Sequence, residues 1–150
     1  MNFTASMRRL AQLRRSLERQ EEMKMAMVSA RLQALEAERA GNHERARLEH
    51  NALRRELAEG ASGAELQSDG LRHDIDQQRD ERLRAQAAVV ADEKARQRQL
   101  LLQRTRERET LDTLEAHFRQ AQQRRREHRD QAALDEGFLL GRGGSGQRED

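Results

Sequence analysis

The chain has 150 residues, of which 37% are charged and 2% are aromatic, and it contains no Pro, Cys, Trp or Tyr. Three Phe residues and few branched aliphatic residues cannot fill a sizeable globular core, and sandwiches and barrels use Pro in their turns. Without Cys this sequence has no disulfide, thiolate nucleophile or Cys-based metal site. A composition rich in Ala, Glu, Arg, Leu and Gln is typical of long helices or a coiled coil.

The charges are numerous but almost balanced, with 29 basic and 27 acidic side chains and a net charge of +2. Both signs are interspersed along the chain, which is the usual pattern of a solvated helix surface. The longest apolar run, from Ala87 to Ala91, is far shorter than the roughly 20 residues that a membrane span needs. We therefore expect a cytoplasmic protein without targeting signals.

Glycines mark the places where a helix can end, because the rest of the chain consists of strong helix formers. They predict a first helix over about 4–59, a turn over about 60–63 and a second helix over about 64–136. The glycine-rich stretch at 137–150 predicts a disordered tail.

Two details of these helices stay open. Ser62 and Glu65 fit a capping box that opens the second helix, but a start at Ser68 or Asp69 is also compatible with the sequence. Gly41 is either tolerated within the first helix or kinks it.

Helices this long and polar need a partner, and the nearest one is the other helix of the same chain. A turn centred near 61–62 makes facing residue numbers sum to about 123. Apolar clusters then meet: Leu48 faces Ile75, and Met23 and Met27 face Leu100–Leu102. This favours a core position for the methionines Met23, Met25 and Met27, with an adaptable binding surface as the alternative. Two polar stretches, 39–45 and 77–84, also meet. We predict an all-α fold, a long asymmetric antiparallel two-helix coiled-coil hairpin.

The heptad pattern is weak. A seven-residue frame joins Leu83 to Phe118 but passes through Gln97 and Arg104, which interrupts the apolar series. We therefore expect a gently twisted pair of helices rather than a regular zipper. Pairs spaced i,i+4 support the second helix, among them Asp80 with Arg84 and Glu115 with Arg119.

The second helix is the longer one, so residues after about 120 face nothing in the first helix. This end carries a basic stretch, 124–130, followed by four apolar residues: Leu134, Phe138, Leu139 and Leu140. An isolated apolar cluster of this kind is either a docking element or part of a frayed terminus.

Catalytic chemistry has no basis in the sequence. None of the five His has a metal-ligand spacing, and a two-helix hairpin offers almost no concave pocket. Glu127 and Asp130 interrupt the arginine-rich stretch, and no aromatic residue there could stack a base, which argues against direct nucleic-acid binding. We expect neither enzymatic activity nor a cofactor or metal.

Several segments together resemble the FliJ/YscO family, the soluble stalk components of flagellar and virulence type III export. Met7 to Leu13 opens a Glu-rich first helix that continues through Leu32–Glu36, and a break follows in mid-chain. The longer second helix ends in Gln131–Glu136 and is followed by Phe138. The resemblance implies a helical stalk in the central hole of the export ATPase hexamer, which promotes its activity and escorts chaperones to the export gate.

The resemblance, with the overhanging helix end, also implies contact residues. Those for the ATPase are Met7, Arg8, Arg9, Arg124, Arg125, Arg126 and Arg129. The candidates for docking a partner are Leu71, Ile75, Leu134, Phe138, Leu139 and Leu140, of which Leu71 and Ile75 lie where the family binds the export gate. The partners implied are the export-gate cytoplasmic domain and substrate chaperones. The implied location is the cytoplasm, at most peripheral at the inner-membrane export apparatus. A structural or adaptor coiled coil is the alternative, and a nucleic-acid-associated protein is a more distant one.

Overall fold

The structure, a computed structural model, describes residues 3–143, with side chains from 4 to 142. Two α-helices make up this part of the chain: α1, Phe3–Glu59, of 57 residues, and α2, Gly63–Gly143, of 81 residues. The helices pack against each other as an antiparallel hairpin, and the described residues contain no strand. The predicted all-α two-helix hairpin is confirmed.

The turn depends on one glycine with a left-handed backbone. Gly60 has a φ of 97°, and its N–H donates to the carbonyl of Leu57 at 3.3 Å. A residue with a side chain is strained at this φ, so Gly is the residue that can close α1 here. The chain reverses over the next residues before α2 begins.

The start of α2 is a capping box. The backbone N–H of Ser62 donates to the Glu65 carboxylate at 2.8 Å, and the backbone N–H of Glu65 donates to the Ser62 hydroxyl at 3.3 Å. This reciprocal pair satisfies two backbone donors that the first helical turn leaves without partners. α2 therefore begins at Gly63, and the alternative start at Ser68 or Asp69 is wrong.

The far end of α2 differs from the prediction. The helix continues through Gly137 and Gly141 to Gly143, whereas the glycine-rich sequence predicts a disordered tail from 137. A helical Gly costs about 1 kcal/mol relative to Ala, whereas each added residue of an existing helix gains a hydrogen bond. Phe138, Leu139 and Leu140, which lie between these glycines, each add such a hydrogen bond, and this offsets the cost of Gly137 and Gly141. The rest of the predicted tail, 144–150, lies outside the described residues.

The hairpin divides into two compact units, Ser16–Arg104 and Met1–Arg15 with Thr105–Asp150. Val90, 1% exposed, and Leu83, 6% exposed, are the buried apolar residues of the first unit. Ala11 and Leu111 are those of the second, among its described residues. Each core is therefore only one side-chain layer thick.

Half-buried and buried positions recur at alternating spacings of three and four along each helix, with a step of seven near the turn, and we call this line of positions the seam. On α1 the seam is Thr4, Met7, Ala11, Arg14, Glu18, Glu21, Met25, Val28, Leu32, Leu35, Arg39, Asn42, Ala46 and Leu53. On α2 it is Asp69, Asp76, Asp80, Leu83, Ala87, Val90, Lys94, Gln97, Leu101, Arg104, Arg108, Leu111, Glu115, Phe118 and Gln122.

Gln97 and Arg104 interrupt the apolar series of the seven-residue frame, as expected, but they do not interrupt its burial. Both residues are half-buried at seam positions, although neither is apolar. A polar side chain can occupy such a position when the facing helix supplies a hydrogen-bond partner. Within each unit the seam positions keep this spacing, and only the chemistry of their side chains changes.

The predicted register is confirmed by bonds between the helices. Arg31 binds Glu93, and His43 binds Asp80, and in all such pairs the residue numbers sum to within about five of 123. The side-chain directions, however, were partly wrong. Met23 is 67% exposed and Met27 is 72% exposed, so neither is a core residue.

The same error affects the pair of Leu48 and Ile75, which are 57% and 63% exposed. Each residue advances the helix by about 100°, so a cluster can lie at the predicted level and still point outward. The methionine that occupies the seam is Met25, between the two that do not.

Replacement of Gly41 by Ala should stabilise the chain. Gly41 lies inside the continuous α1, has no positive φ, and an added Cβ would meet no atom within 4 Å. We expect Gly41→Ala to raise the free energy of unfolding by about 1 kcal/mol, measured by urea titration at low protein concentration. Gly60→Ala should do the opposite because of its φ of 97°. Destabilisation by Gly41→Ala would contradict the open environment of this glycine.

Candidate protein-interaction surface

The last part of α2 lacks the burial that marks the rest of the seam. Gln122 is the last half-buried residue, and every described side chain from 123 to 142 is exposed. We call residues 123–142 the α2 extension. By the confirmed register, position 122 lies at the level where α1 begins, so the extension runs past the first residues of α1.

The first turns of α1 and the helix before the extension enclose a small cavity of about 80 Å³. It is lined by Thr4, Met7, Arg8, Glu115, Phe118, Arg119 and Gln122. Two of the predicted contact residues, Met7 and Arg8, therefore lie beside the start of the α2 extension, whereas Arg9 is exposed on α1. The predicted Glu115–Arg119 pair is present at 2.6 Å.

The first two turns of the extension form a basic surface. Arg124, Arg125, Arg126 and Arg129 are all exposed, and two acidic residues, Glu127 and Asp130, lie among and beside them. The Glu127 carboxylate accepts a hydrogen bond from Gln123 at 3.0 Å. The structure therefore presents four guanidinium groups against two carboxylates, and this excess of positive charge suits an acidic partner.

The final turns of the extension form an apolar surface. Leu134, Phe138, Leu139 and Leu140 are between 68% and 79% exposed. At about 100° per residue, their side chains leave the helix in directions that span its whole circumference. The Arg142 guanidinium lies 6.0 Å from the centre of the Phe138 ring, at the distance of a cation–π contact. A partner could thus contact this end of the helix on every side.

The two apolar residues predicted early in α2 are also exposed. Leu71 is 66% exposed and Ile75 is 63% exposed, one turn apart and away from the seam. They present a small apolar pair in the Ser16–Arg104 unit.

The residues that the sequence analysis missed lie in the seam. Asp80 accepts two hydrogen bonds from Arg39, at 2.7 and 3.3 Å, and a third from the Nε2 of His43 at 2.7 Å. Arg39 and His43 are one turn apart on α1, so their side chains converge on one carboxylate of α2. These bonds across the hairpin replace the predicted Asp80–Arg84 pair. Arg39 binds the two carboxylate oxygens of Asp80 in a bidentate manner, through Nε and Nη2.

These bonds shift the acid–base equilibrium of the pair. The hydrogen bond from Arg39, followed by that from His43, holds the pKa of Asp80 below its ordinary value of 3.8. The bond to Asp80 in turn raises the pKa of Arg39. Asp80 and Arg39 are each about one quarter to one third exposed, so water still reaches the pair.

Glu21 shows the same arrangement. Gln97 donates to the Glu21 carboxylate and, at 3.3 Å, to its backbone carbonyl. The bond from Gln97, with smaller contributions from Lys24 and Arg104, lowers the pKa of Glu21 below its ordinary value of 4.5. In the other unit, Arg14 of α1 binds Glu107 of α2. Charged seam positions therefore hold the two helices in register.

A signal for Asp80 was present in the sequence. The polar stretches 39–45 and 77–84 face each other under the register rule, and both contain charged residues. Opposite charges at matching levels of two facing helices could have been paired in the same way as the apolar residues.

Two further cavities, of about 340 and 210 Å³, lie along the Ser16–Arg104 unit near the turn. Both are lined by Ala46, His73 and Asp76. In the part of the chain that the structure describes, no three His, Asp or Glu side chains are grouped so that they could hold a metal ion. No helix among those residues has a stretch that is long and apolar enough to cross a membrane.

Comparison with known proteins gives no relative: neither a family model, nor a curated protein, nor a solved structure matches the chain. The case for a function therefore comes from the residues and geometry described above.

The hydrogen bonds of Arg39 and His43 to the Asp80 carboxylate predict that the stability of the fold depends on pH. Because the pKa of Asp80 is lowered in the folded chain, its ionised form stabilises the fold above about pH 4, and this contribution is lost as the pH falls through the folded-state pKa. We expect Asp80→Asn to lower the urea midpoint at pH 7, and the deficit relative to the wild type to shrink as the pH falls below 3.8.

Asp74→Asn is the matched control, because Asp74 is an exposed residue of the same helix outside the seam. Its urea midpoint should follow that of the wild type at every pH. An equal deficit of Asp80→Asn at pH 7 and at acid pH would show that the carboxylate charge does not hold the helices together.

Proposed function

We propose that this protein is a non-enzymatic component of type III protein export, and of the two type III systems we propose the flagellar one. In this role it binds the ring-shaped export ATPase as a central stalk and promotes its activity. The observation that carries the proposal is the α2 extension, a helix end that carries a basic surface and an apolar surface past the start of α1. The resemblance to the FliJ/YscO family supports the same role.

The distribution of apolar side chains suits a ring. A helix that docks on a flat surface needs apolar residues on one face only. The directions of Leu134, Phe138, Leu139 and Leu140 span the whole circumference, as a helix surrounded by subunits would require. Arg124 to Arg126 and Arg129 precede them and would meet acidic loops at the entrance of the ring.

Met7, Arg8 and Arg9 are assigned to the same contact. Met7 and Arg8 line the cavity where α1 begins beside α2, and Arg8 and Arg9 are exposed. They would extend the basic surface of the α2 extension onto the first turns of α1. The second task, escort of substrate chaperones to the cytoplasmic domain of the export-gate protein, is assigned to the exposed pair Leu71 and Ile75.

The direct test is ATP hydrolysis by the cognate export ATPase, measured with and without the chain. We expect the full chain to stimulate hydrolysis and to sediment with the assembled ring, and a chain truncated after Gln122 to do neither. The truncation removes the extension and leaves every seam residue in place, so the hairpin should still fold.

Point variants show whether stimulation depends on the charge of the α2 extension or only on its length. Replacing Arg124, Arg125, Arg126 and Arg129 by Ala keeps strong helix formers in the extension and removes four positive charges. We expect this variant to stimulate hydrolysis about tenfold less than the wild type, with a weaker dependence on salt. The matched control replaces four other exposed arginines of α2 by Ala: Arg79, Arg82, Arg84 and Arg98.

The control should behave as the wild type does. Equal losses in both quadruple variants would show a general charge effect and would contradict a contact at the extension. Absence of both stimulation and co-sedimentation with the full chain would overturn the export role and favour a structural adaptor.

A further inference from the structure

The outward side of α1 carries an apolar stripe that the hairpin does not use. Its positions follow each other at spacings of four and three, and we call them the α1 outer stripe: Met23, Met27, Ala30, Ala34, Ala37 and Gly41. All six are exposed, with Met23 at 67% and Met27 at 72%. The seam residues of this stretch, from Glu21 to Asn42, lie on the other side of the helix.

No packing within the part of the chain that the structure describes accounts for this pattern. Gly41 has an ordinary helical φ, and no atom lies within 4 Å of the position that a Cβ would occupy. A helix interior favours Ala over Gly at an open position, and exposed methionines gain nothing from water. A close neighbour from outside the chain would explain both the small residues and the exposed methionines.

The sizes of the side chains identify the neighbour as a second copy. If a second α1 lies antiparallel against the stripe, facing residue numbers sum to 64. Met23 then faces Gly41 of the second copy, and Met27 faces Ala37 of the second copy, while Ala30 faces Ala34. A large side chain meets a small one at the two outer levels, and two Ala meet at the centre, so that the contact is self-complementary about a two-fold axis.

The charges beside the stripe agree with this register. Lys24 and Glu38 lie on the same edge of the stripe, and in antiparallel helices residues on matching edges face each other. Lys24 of one copy therefore approaches Glu38 of the other, twice per dimer. The Lys24 side chain is 60% exposed, and its ammonium pairs with Glu21 at 3.3 Å, so it can reach a second carboxylate.

The centre of the contact is polar but not repulsive. Gln33 lies next to the two-fold axis, where its amide can pair with the amide of Gln33 in the second copy. Arg31, on the opposite edge, is engaged with Glu93 of its own α2 at 3.4 Å, which offsets the approach of two equal charges.

We propose that the chain forms a homodimer through the α1 outer stripe, with two α1 helices antiparallel and both hairpins closed. Ala and Gly let the helix backbones approach closely, and Met23 and Met27 adapt to the remaining space. One helix-on-helix contact of this length belongs to the small end of specific interfaces, so we expect dissociation in the micromolar range. The proposal is independent of the export role, because the stripe and the α2 extension share no residue.

Sedimentation over a range of protein concentrations tests the association. Ala34→Glu places a charge at the centre of the stripe, and we expect it to weaken dimerisation at least about tenfold. Ala85→Glu is the control, since Ala85 is equally exposed but lies on the outward side of α2. It should leave the dissociation constant unchanged. A wild-type chain that stays monomeric at hundred-micromolar concentrations, or equal effects of both variants, would overturn the proposal.

Single cysteines test the orientation, because the natural chain has none. Gln33→Cys should join two chains efficiently with a short bifunctional maleimide, since the two positions meet at the axis. Met23→Cys should not, because in the antiparallel arrangement the two cysteines are far apart. Efficient joining through Met23→Cys would show parallel helices and overturn the proposed register.

A charge exchange completes the test. Glu38→Lys alone should weaken the dimer by setting two lysines against each other, and Lys24→Glu combined with Glu38→Lys should restore it. Circular dichroism of each variant at a concentration where the wild type is monomeric shows whether the hairpin still folds. Failure of the double exchange to restore association in a folded chain would contradict the Lys24–Glu38 contact.

Discussion

A hairpin of two helices has a single line of contact, and this constraint governs the whole structure. Each seam position touches only the facing helix, so a polar residue placed there depends on one or two partners for its hydrogen bonds. Asp80 has Arg39 and His43, and Glu21 has Gln97. The apolar core is correspondingly thin, with Val90 as its one fully buried large side chain among the described residues.

Polar seam positions contribute more to register than to stability. An apolar side chain packs almost equally well against several neighbours, so a purely apolar seam tolerates a slip of one heptad. A slip would separate Asp80 from Arg39 and Glu21 from Gln97, which leaves charged groups beside apolar neighbours. Long surface-exposed pairs such as Arg31 with Glu93 add little, because solvent screens them.

The sequence was sufficient for the architecture because the turn is encoded locally. Gly60 requires a left-handed backbone, and Ser62 with Glu65 completes a capping box, so the register follows from the turn. Side-chain direction was not predictable in the same way. Met23, Met25 and Met27 lie within two turns, and only the exact phase of the helix decides that Met25 faces inward. The pairing of Asp80 was missed because polar residues were treated as interruptions of an apolar pattern.

The two exposed apolar surfaces differ in the directions in which their side chains leave the helix. On the α1 outer stripe every position falls on one side of the helix, so a single neighbouring helix can cover Met23, Met27 and the small residues between 30 and 41. In the α2 extension Leu134, Phe138, Leu139 and Leu140 leave the helix in directions that no single helix can cover. A one-sided surface suits a pairwise contact, whereas a surface that encircles the helix requires a partner that surrounds it. The two surfaces therefore differ in the kind of partner that they can accept, even though both consist of exposed apolar residues in a highly charged chain.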